Sequence, residues 1–372
     1  MSIQRVISIG YGRHFFQSDN AERARMELCA QETVSYDMVI FTVQSDGLQT
    51  ETSGALTLHP TNSRNRLLML VDAFLITRKL CRQTQIDVLT TQDPFAAGLV
   101  GVCISFVTRV HLVVQEHGDF FSTGYWRRES VINRIWYVIG LGVLRRADVV
   151  RVVSARIQHT INQVLPAKPV TVLPVSIHPE PFLNPTRTHA QTDTFTYLSV
   201  ARFVPQKNIH NLLHAFTAAH QSQPHMRLQL VGTGPLRSYI TNYIAYTFPH
   251  NSPITLADWT DDVPQLMRTS DAYVLSSNYE GWARVLIEAL LNRLPIVTTD
   301  VGCVGEVVLD GEHGVVVPVD DTAALTTALL QLVTDGALQQ HIYQTLQTLD
   351  PTDLPGVDAD NYGQQWLAAF AR

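Results

Sequence analysis

Along the chain, short unbroken apolar runs rich in Val and Ile alternate with longer segments whose apolar positions recur at helical spacing. The first half carries RVISIG, DMVIFT, IDVLTT, VHLVVQE and ADVVRVVS, and the second TFTYLSV, RLQLVG, DAYVLSS and LPIVTTD. A strand that is apolar at every position is covered on both faces, as a parallel strand is between two helical layers. The pattern therefore predicts an α/β protein of doubly wound, Rossmann-like parallel sheets, and the series runs twice. Between the two series lies PVSIHPEPFLNPTRTHAQTDTF, with Pro174, Pro179, Pro181 and Pro185 followed by a polar run. This places a domain boundary near residues 178 to 193. Two such domains facing each other leave a cleft, and open sheets bind ligands at the carboxyl ends of their strands.

Length supports the same division, since 372 residues exceed one ordinary core. The chain is 45% hydrophobic and 16% charged, a globular composition, and its formal net charge of -6 disfavours nucleic acid as a partner. Cys29, Cys81, Cys103 and Cys303 lie far apart with no CxxC pair, so they read as buried small hydrophobes in a reducing compartment. The opening MSIQRVISIGYGRHFF has neither a long apolar core nor a small-residue cleavage site, and no run approaches the roughly 18 apolar residues that span a bilayer. A cytoplasmic protein is expected.

Candidate chemistry clusters at strand ends. In DAYVLSSNYEGWARVLIEALLN a strand leads through a loop into a helix, with Glu280 at the strand end and Glu288 about two turns into the helix. Gly281 permits close backbone approach, and the amides near Trp282, Ala283 and Arg284 lie at a helix N-terminus, a ready anion seat. A carboxylate accepts two hydrogen bonds and suits a vicinal diol, although two glutamates at this spacing also arise by chance on a solvated face. In YLSVARFVPQKNIHNLLHAF, Arg202 and Lys207 enter a helix from a strand end, either as a diphosphate clamp or as surface charges. Gly232 and Gly234 follow another strand, where a tight turn explains them equally well. Gly10 and Gly12 follow the first strand and suit a backbone approaching a diphosphate, but the third glycine of a dinucleotide fingerprint is missing. Asp93 at TTQDP reads as a site residue or a helix cap. His210 and His214 lack a third ligand for zinc. A literal DxD, Asp358-Ala359-Asp360, sits in a Pro/Gly/Asp tail rather than at a strand end and reads as chance.

These stretches together resemble the family 4 retaining glycosyltransferases. EGWARVLIEALLNRLPIVTTDVGCVGE is similar to the family's E-x7-E segment, with Glu280 and Glu288 as its two glutamates. It departs from the common form at Trp282 for Phe, at Ala283 for Gly and at Arg293 for Gly. Arg202 and Lys207 match the family's phosphate-binding Arg and Lys, with Asn208 where Gly is frequent. GTGP at 232–235 stands where the family has GDGP, and ADWTDDVPQLM stands where the backbone at Asp258 and Trp259 would meet the nucleobase. VVQEHGDFF places His117 where the family often has a His near the sugar's primary hydroxyl.

The resemblance implies the GT-B fold: an acceptor-binding domain at 1–178, a nucleotide-sugar-binding domain at 179–350, and a final helix within 351–372 that returns to the first domain. It implies retaining hexosyl transfer from a UDP- or GDP-sugar to a glycan or polyprenyl-linked acceptor, in envelope or extracellular polysaccharide synthesis. Arg202, Lys207 and the helix amides would offset the diphosphate charge, so no metal and no separate cofactor are expected.

One stretch remains outside this scheme. YWRRESVINRIWYVIGLGVLRRADVVR, residues 125–151, interleaves Arg127, Arg128, Arg134, Arg145, Arg146 and Arg151 with Trp126, Trp136 and Tyr137. It suits an anionic membrane surface or a polyprenyl diphosphate, and equally an ordinary surface helix followed by a buried strand. Three other functions compete with transfer: a nucleotide-sugar epimerase of the same fold, whose acid and base carboxylates have no evident place; a dinucleotide-dependent oxidoreductase, which the incomplete glycine pattern disfavours; and an inactive carbohydrate-binding protein.

Overall fold

The computed structural model describes residues 4–18, 20–122, 124–183, 193–357 and 361–371. The chain divides into two compact units, Met1–Ser176 with Asp358–Arg372, and Ile177–Val357. The 184–192 part of the proline-rich connection and the DxD at 358–360 lie outside the described residues.

The first unit is built on eight strands, β1 (Arg5–Gly10), β2 (Ser35–Ile40), β3 (Glu51–Ser53), β4 (Leu56–Pro60), β5 (Val88–Thr91), β6 (His111–Glu116), β7 (Val149–Val152) and β8 (Val170–Val172). Their order is β3-β4-β2-β1-β5-β6-β7-β8, parallel throughout except for the antiparallel β3–β4 pair. Helices α1 (Ala21–Gln31), α2 (Met69–Gln83), α3 (Ala96–Thr108), α4 (Tyr125–Glu129), α5 (Val131–Arg146) and α6 (Ala155–Val164) connect them. The central strands are buried at every position in β5, β6 and β7, as covering on both faces requires, and that burial takes in the polar Gln115, Glu116 and Arg151 as well as the apolar runs. The β3–β4 hairpin is different: β4 alternates buried and half-buried positions, so its sequence shows no continuous run.

The second unit carries β9 (Phe195–Val200), β10 (Met226–Val231), β11 (Ile254–Ala257), β12 (Ala272–Leu275), β13 (Ile296–Thr299) and β14 (Gly314–Val317), all parallel in the order β11-β10-β9-β12-β13-β14. Its helices are α7 (Ile209–Ser222), α8 (Arg237–Thr247), α9 (Val263–Arg268), α10 (Arg284–Leu291), α11 (Thr322–Thr334) and α12 (Gly336–Thr348). A last helix, α13 (Tyr362–Ala368), belongs to the first unit, where Trp366 and Phe370 join its core and Trp366 meets Tyr36 with ring centres 5.0 Å apart.

Three expectations need correcting. Cys29 and Cys303 are buried, but Cys81 is half-buried and Cys103 exposed, because they fall on the outer sides of α2 and α3. Arg151 is not part of a basic surface: it is 2% exposed, and its guanidinium donates to Gln115 Oε1 at 2.7 Å, to the Leu173 carbonyl at 2.6 Å and to the Tyr362 hydroxyl at 3.2 Å. Its place inside β7 dictates this. The aromatic residues of the same stretch also turn inward, Trp126 stacking on Phe95 with ring centres 4.7 Å apart.

Candidate active site

Strand order assembles the site of the second unit. β11, β10, β9 and β12 are neighbours and parallel, so the loops leaving their carboxyl ends stand side by side. Those loops carry Asp258 and Trp259, Gly232 and Gly234, Arg202 to Lys207, and Glu280 to Ala283, segments remote in sequence.

At the centre stands Glu280, 7% exposed. Its Oε1 accepts from Lys207 Nζ at 2.5 Å and from the Ser277 hydroxyl at 2.6 Å, and its Oε2 from Gln206 Nε2 at 3.4 Å. Gln206 and Lys207 lie in a short 3-10 turn, Pro205–Lys207, whose proline fixes its start. The turn ends at Asn208, which caps α7 through its side chain and is tied by Nδ2 to Asn278 Oδ1 at 2.9 Å. The β9 and β12 loops are thus laced together around one buried ion pair. Ser277 is itself held by Thr299, whose hydroxyl donates to its carbonyl at 2.7 Å.

Glu288 lies little more than one turn into α10, not two, since the helix begins at Arg284. Burial pushes its carboxyl above the usual range, while Arg284 pulls it down. Among the described residues no side chain caps α10, whose N-cap is Ala283 at φ 59°; the Leu286 amide donates to the Ala283 carbonyl at 2.9 Å, and the positive end of the helix lies on the same loop as Glu280. Trp282 is buried, and its carbonyl accepts from the Cys303 amide at 3.1 Å. Arg202 is exposed; its carbonyl accepts from the Val204 amide at 2.9 Å, but among the described residues its guanidinium makes no hydrogen bond or ion pair, so the protein does not join it to Glu280. Gly232 and Gly234 both have φ 152°, and a Cβ would fall 1.9 Å from the Ala201 carbonyl oxygen and 2.5 Å from that of Phe203. Close packing of the β9 and β10 loops therefore requires both glycines whether or not a ligand binds. Asp258 pairs with Arg237 at 3.1 Å, and Trp259 is half exposed at the end of β11.

In the first unit the carboxyl ends of β1, β5 and β6 carry Gly10, Asp93 and His117. A Cβ on Gly10 would lie 2.3 Å from Gln92 Oε1, and one on Gly12 2.3 Å from the Phe15 ring, so packing accounts for both glycines. Asp93 accepts from the Phe95 and Ala97 amides at 2.7 and 3.3 Å, so it ties down the start of α3 from two residues before the N-cap, Phe95. Exposed His117 has Nε2 3.1 Å from Gln115 Oε1 and 3.4 Å from Arg151 Nη1. Loss of solvent, and then the Arg151 guanidinium, push its imidazole well below the usual range. Because His117 keeps solvent contact, the fixed charge of Arg151 is the firmer cause, and the ring is neutral near pH 7. The nearby Asp119 is buried at φ 55° with Oδ1 unpartnered, and Glu116 is fully buried.

Sequence reasoning missed Ser277, Gln206, Asn278 and the Gln115–Arg151 support of His117. Ser277 lies on the same loop as Glu280, three positions earlier, but only the β9–β12 pairing explains Gln206. Among the described residues, no group of three His, Cys, Asp or Glu could hold a metal ion, and His210 turns its ring nitrogen to the Tyr239 hydroxyl instead.

Comparison with known proteins agrees with this geometry. Residues 30–180 match the family model described as Glycosyltransferase Family 4, and residues 184–347 match that described as Glycosyl transferases group 1. Together these models account for most of the chain, which belongs to the family 4, group 1-type glycosyltransferases. The protein is a glycosyltransferase of the GT-B fold.

Among its relatives are an uncharacterized glycosyltransferase of Methanocaldococcus jannaschii, 22% identical over 73% of this chain and 72% of that one, and the lipopolysaccharide core biosynthesis glycosyltransferase LpsE of Rhizobium meliloti, 27% identical over 40% of this chain and 43% of that one. The chain thus spans less than half the length of LpsE. Anabaena HepE, solved with UDP and glucose, shares the fold with a TM-score of 0.72 at 17% identity over 98% of both chains. Sucrose-phosphate synthase of Thermosynechococcus elongatus shares it with a TM-score of 0.77 at 18% identity, over 98% of this chain and 100% of that one.

Proposed function

We propose that the protein transfers a hexose, with retained anomeric configuration, from a UDP- or GDP-sugar to a glycan or lipid-linked acceptor in the assembly of an envelope or extracellular polysaccharide. The observation that carries this reading is the buried Glu280–Lys207 pair, 2.5 Å apart, beside the uncapped N-terminus of α10. A carboxylate, a cation and the positive end of a helix at one strand edge match a sugar hydroxyl and a diphosphate.

Glu280 orients the hexose hydroxyls and Glu288 the ribose diol. As the C1–O bond to the diphosphate breaks, Lys207, Arg202 and the α10 amides stabilise the charge that develops on the leaving oxygen. The acceptor oxygen bonds to C1 on the same face, and its proton passes to the leaving phosphate. Two cations and a helix N-terminus offset the diphosphate charge without a metal. Gly232, Gly234, Asp258 and Trp259 border the nucleotide, Gly10 and Gly12 serve its diphosphate and His117 the sugar's primary hydroxyl, while the first unit receives the acceptor. HepE, described with UDP and glucose, and LpsE, described as a lipopolysaccharide core enzyme, support the donor and the pathway. A peripheral contact with an anionic membrane belongs to the same reading.

A thermal-shift panel of UDP, GDP, ADP and their sugars on the wild type and Glu288→Ala tests it. A ligand bound only by the folded chain, at a hundred times its Kd, stabilises by about 2.7 kcal/mol. A shift with one nucleotide family, reduced in Glu288→Ala, is expected. No shift with any nucleotide would sink the transferase mechanism as written.

A further inference from the structure

The first unit carries a second chemistry on its flank. α3 packs against both α2 and α5, so the three helices cover one face of the sheet. α2 and α5 each run back between parallel strands and therefore begin at the sheet's carboxyl edge, where His117 lies. Val131, Ile132, Ile135 and Val138 of α5 are each more than half exposed. Their spacing puts them on one stripe of the helix. At the start of α2, Leu67 is 85% exposed, and Val71 and Leu75 follow one turn apart. Exposed apolar side chains grouped along one stripe, rather than scattered singly, mark an interaction surface.

Beside the α5 stripe lies a cavity of about 300 Å³ lined by Gly124, Arg127, Arg128 and Arg134. Among the described residues, none of these guanidiniums has a carboxylate within ion-pair distance. Two rest instead over aromatic rings, Arg127 at 4.4 Å from the Tyr137 centre and Arg128 at 5.5 Å from that of Tyr125. A ring holds a guanidinium in place without neutralising it, which leaves its N–H fork for an oxyanion. Three unneutralised arginines in a chain of net charge -6 select a phosphate. The apolar stripe alongside selects hydrocarbon, and a phosphate-bearing lipid supplies both.

We propose that this corner docks on an anionic membrane, with a lipid phosphate seated among Arg127, Arg128 and Arg134 and the ridges of α5 and α2 in the acyl boundary. This deepens the reading of a lipid-linked acceptor and rests on it for its purpose, since docking here brings a membrane-held acceptor to the edge where His117 stands. The binding itself needs no turnover.

The test is cosedimentation of the full chain with phosphatidylcholine vesicles, with and without phosphatidylglycerol. Binding only to the anionic vesicles, weakened by salt, is expected. Arg127→Gln/Arg128→Gln/Arg134→Gln should lower partitioning roughly a hundredfold, at about a factor of five for each arginine near the surface. Ile132→Ser/Ile135→Ser/Val138→Ser should also lose binding, although its charge is unchanged. Equal binding to neutral vesicles, no binding, or an arginine variant that binds like the wild type overturns the proposal. Inorganic phosphate that stabilises the wild type through the arginines, with no vesicle binding, makes the cavity a free-anion site and also overturns it. So does a wild-type dimer that the serine variant loses while vesicles go unbound, because the stripe then belongs to a second copy. The UDP shift of each variant, read in parallel, separates failure of docking from failure of the donor reading.

Discussion

Glu116→Gln is the perturbation whose size the structure sets most directly. Glu116 ends β6, is 0% exposed, and accepts from the Phe120 amide at 2.9 Å and the Asp119 amide at 3.3 Å. Burial is the largest influence and pushes its carboxyl up to about 8, with the amides pulling the other way. A folded value above the unfolded one means that the folded chain holds this proton more tightly. The resulting stability is fully present below the unfolded value of about 4.3 and is lost as pH rises through the folded one. Within that window each pH unit costs about 1.4 kcal/mol, or about 4–5 kcal/mol in all.

Glutamine cannot ionise, but it offers one acceptor to two amides and leaves the more distant one unmet, at about 1–3 kcal/mol. The variant is therefore expected to be slightly less stable than the wild type at pH 5 and more stable by about 2 kcal/mol at pH 8.5, or roughly 4–8 °C in Tm. Melting both proteins across this range and plotting the difference cancels titrations that do not interact with Glu116, such as that of Asp93, which is pushed up to about 6; the neighbouring Asp119, coupled to Glu116 by charge, adds to the slope. A difference that stays flat between pH 5 and 8.5 would refute the buried, protonated Glu116.

Other consequences follow from the same contacts. Lys207→Met and Glu280→Gln should each cut kcat by about a hundredfold or more. The double variant should fall short of the product, because each change already breaks the same pair; full additivity in the cycle would show that the two act apart. Arg151→Met removes a buried guanidinium from four oxygen acceptors and should destabilise the first unit by about 1–3 kcal/mol for each one left buried and unmet. It should also raise the His117 titration seen by histidine NMR, and an unmoved His117 would mean that Arg151 does not set it.

Much of the fold was legible because doubly covered strands carry a continuous apolar run, as LVV in VHLVVQE and AYVL in DAYVLSS do. The short or one-sided strands β3, β4, β8, β11 and β14 were not, since three to five residues, or alternating ones, carry no such pattern. Of the site, the charged residues were legible by type and place. Their partners were not, because Gln206 reaches Glu280 only through the β9–β12 adjacency, and Arg151 reaches Gln115 only through β6–β7 pairing. The stretch 125–151 misled in part because arginine looks alike in sequence whether its guanidinium is solvated, as at Arg134, or enclosed, as at Arg151.

The departures at the family's glycine positions share a backbone conformation. Asn208, Ala283 and Arg293 each stand where the family favours glycine, and each adopts a positive φ, 44°, 59° and 55°. The backbone has kept the glycine conformation without the glycine, so the turn that presents the α10 amides survives the substitution. Asn208 offsets the strain with its cap, and Arg293 with hydrogen bonds to the Leu346 and Gln347 carbonyls. Ala283 has no such contact. A left-handed alanine costs about 1–2 kcal/mol. Ala283→Gly relieves that strain but loses a buried methyl worth about 0.8 kcal/mol and gains unfolded-chain entropy worth about 0.4–1 kcal/mol, so its net effect should lie near zero. Ala289, on the same helix and 0% exposed, has ordinary helical geometry, and Ala289→Gly has no strain to relieve. It should cost about 2 kcal/mol. The gap between the two variants in thermal unfolding measures the strain held at the amide seat, and equal losses at both sites would show that Ala283 holds none.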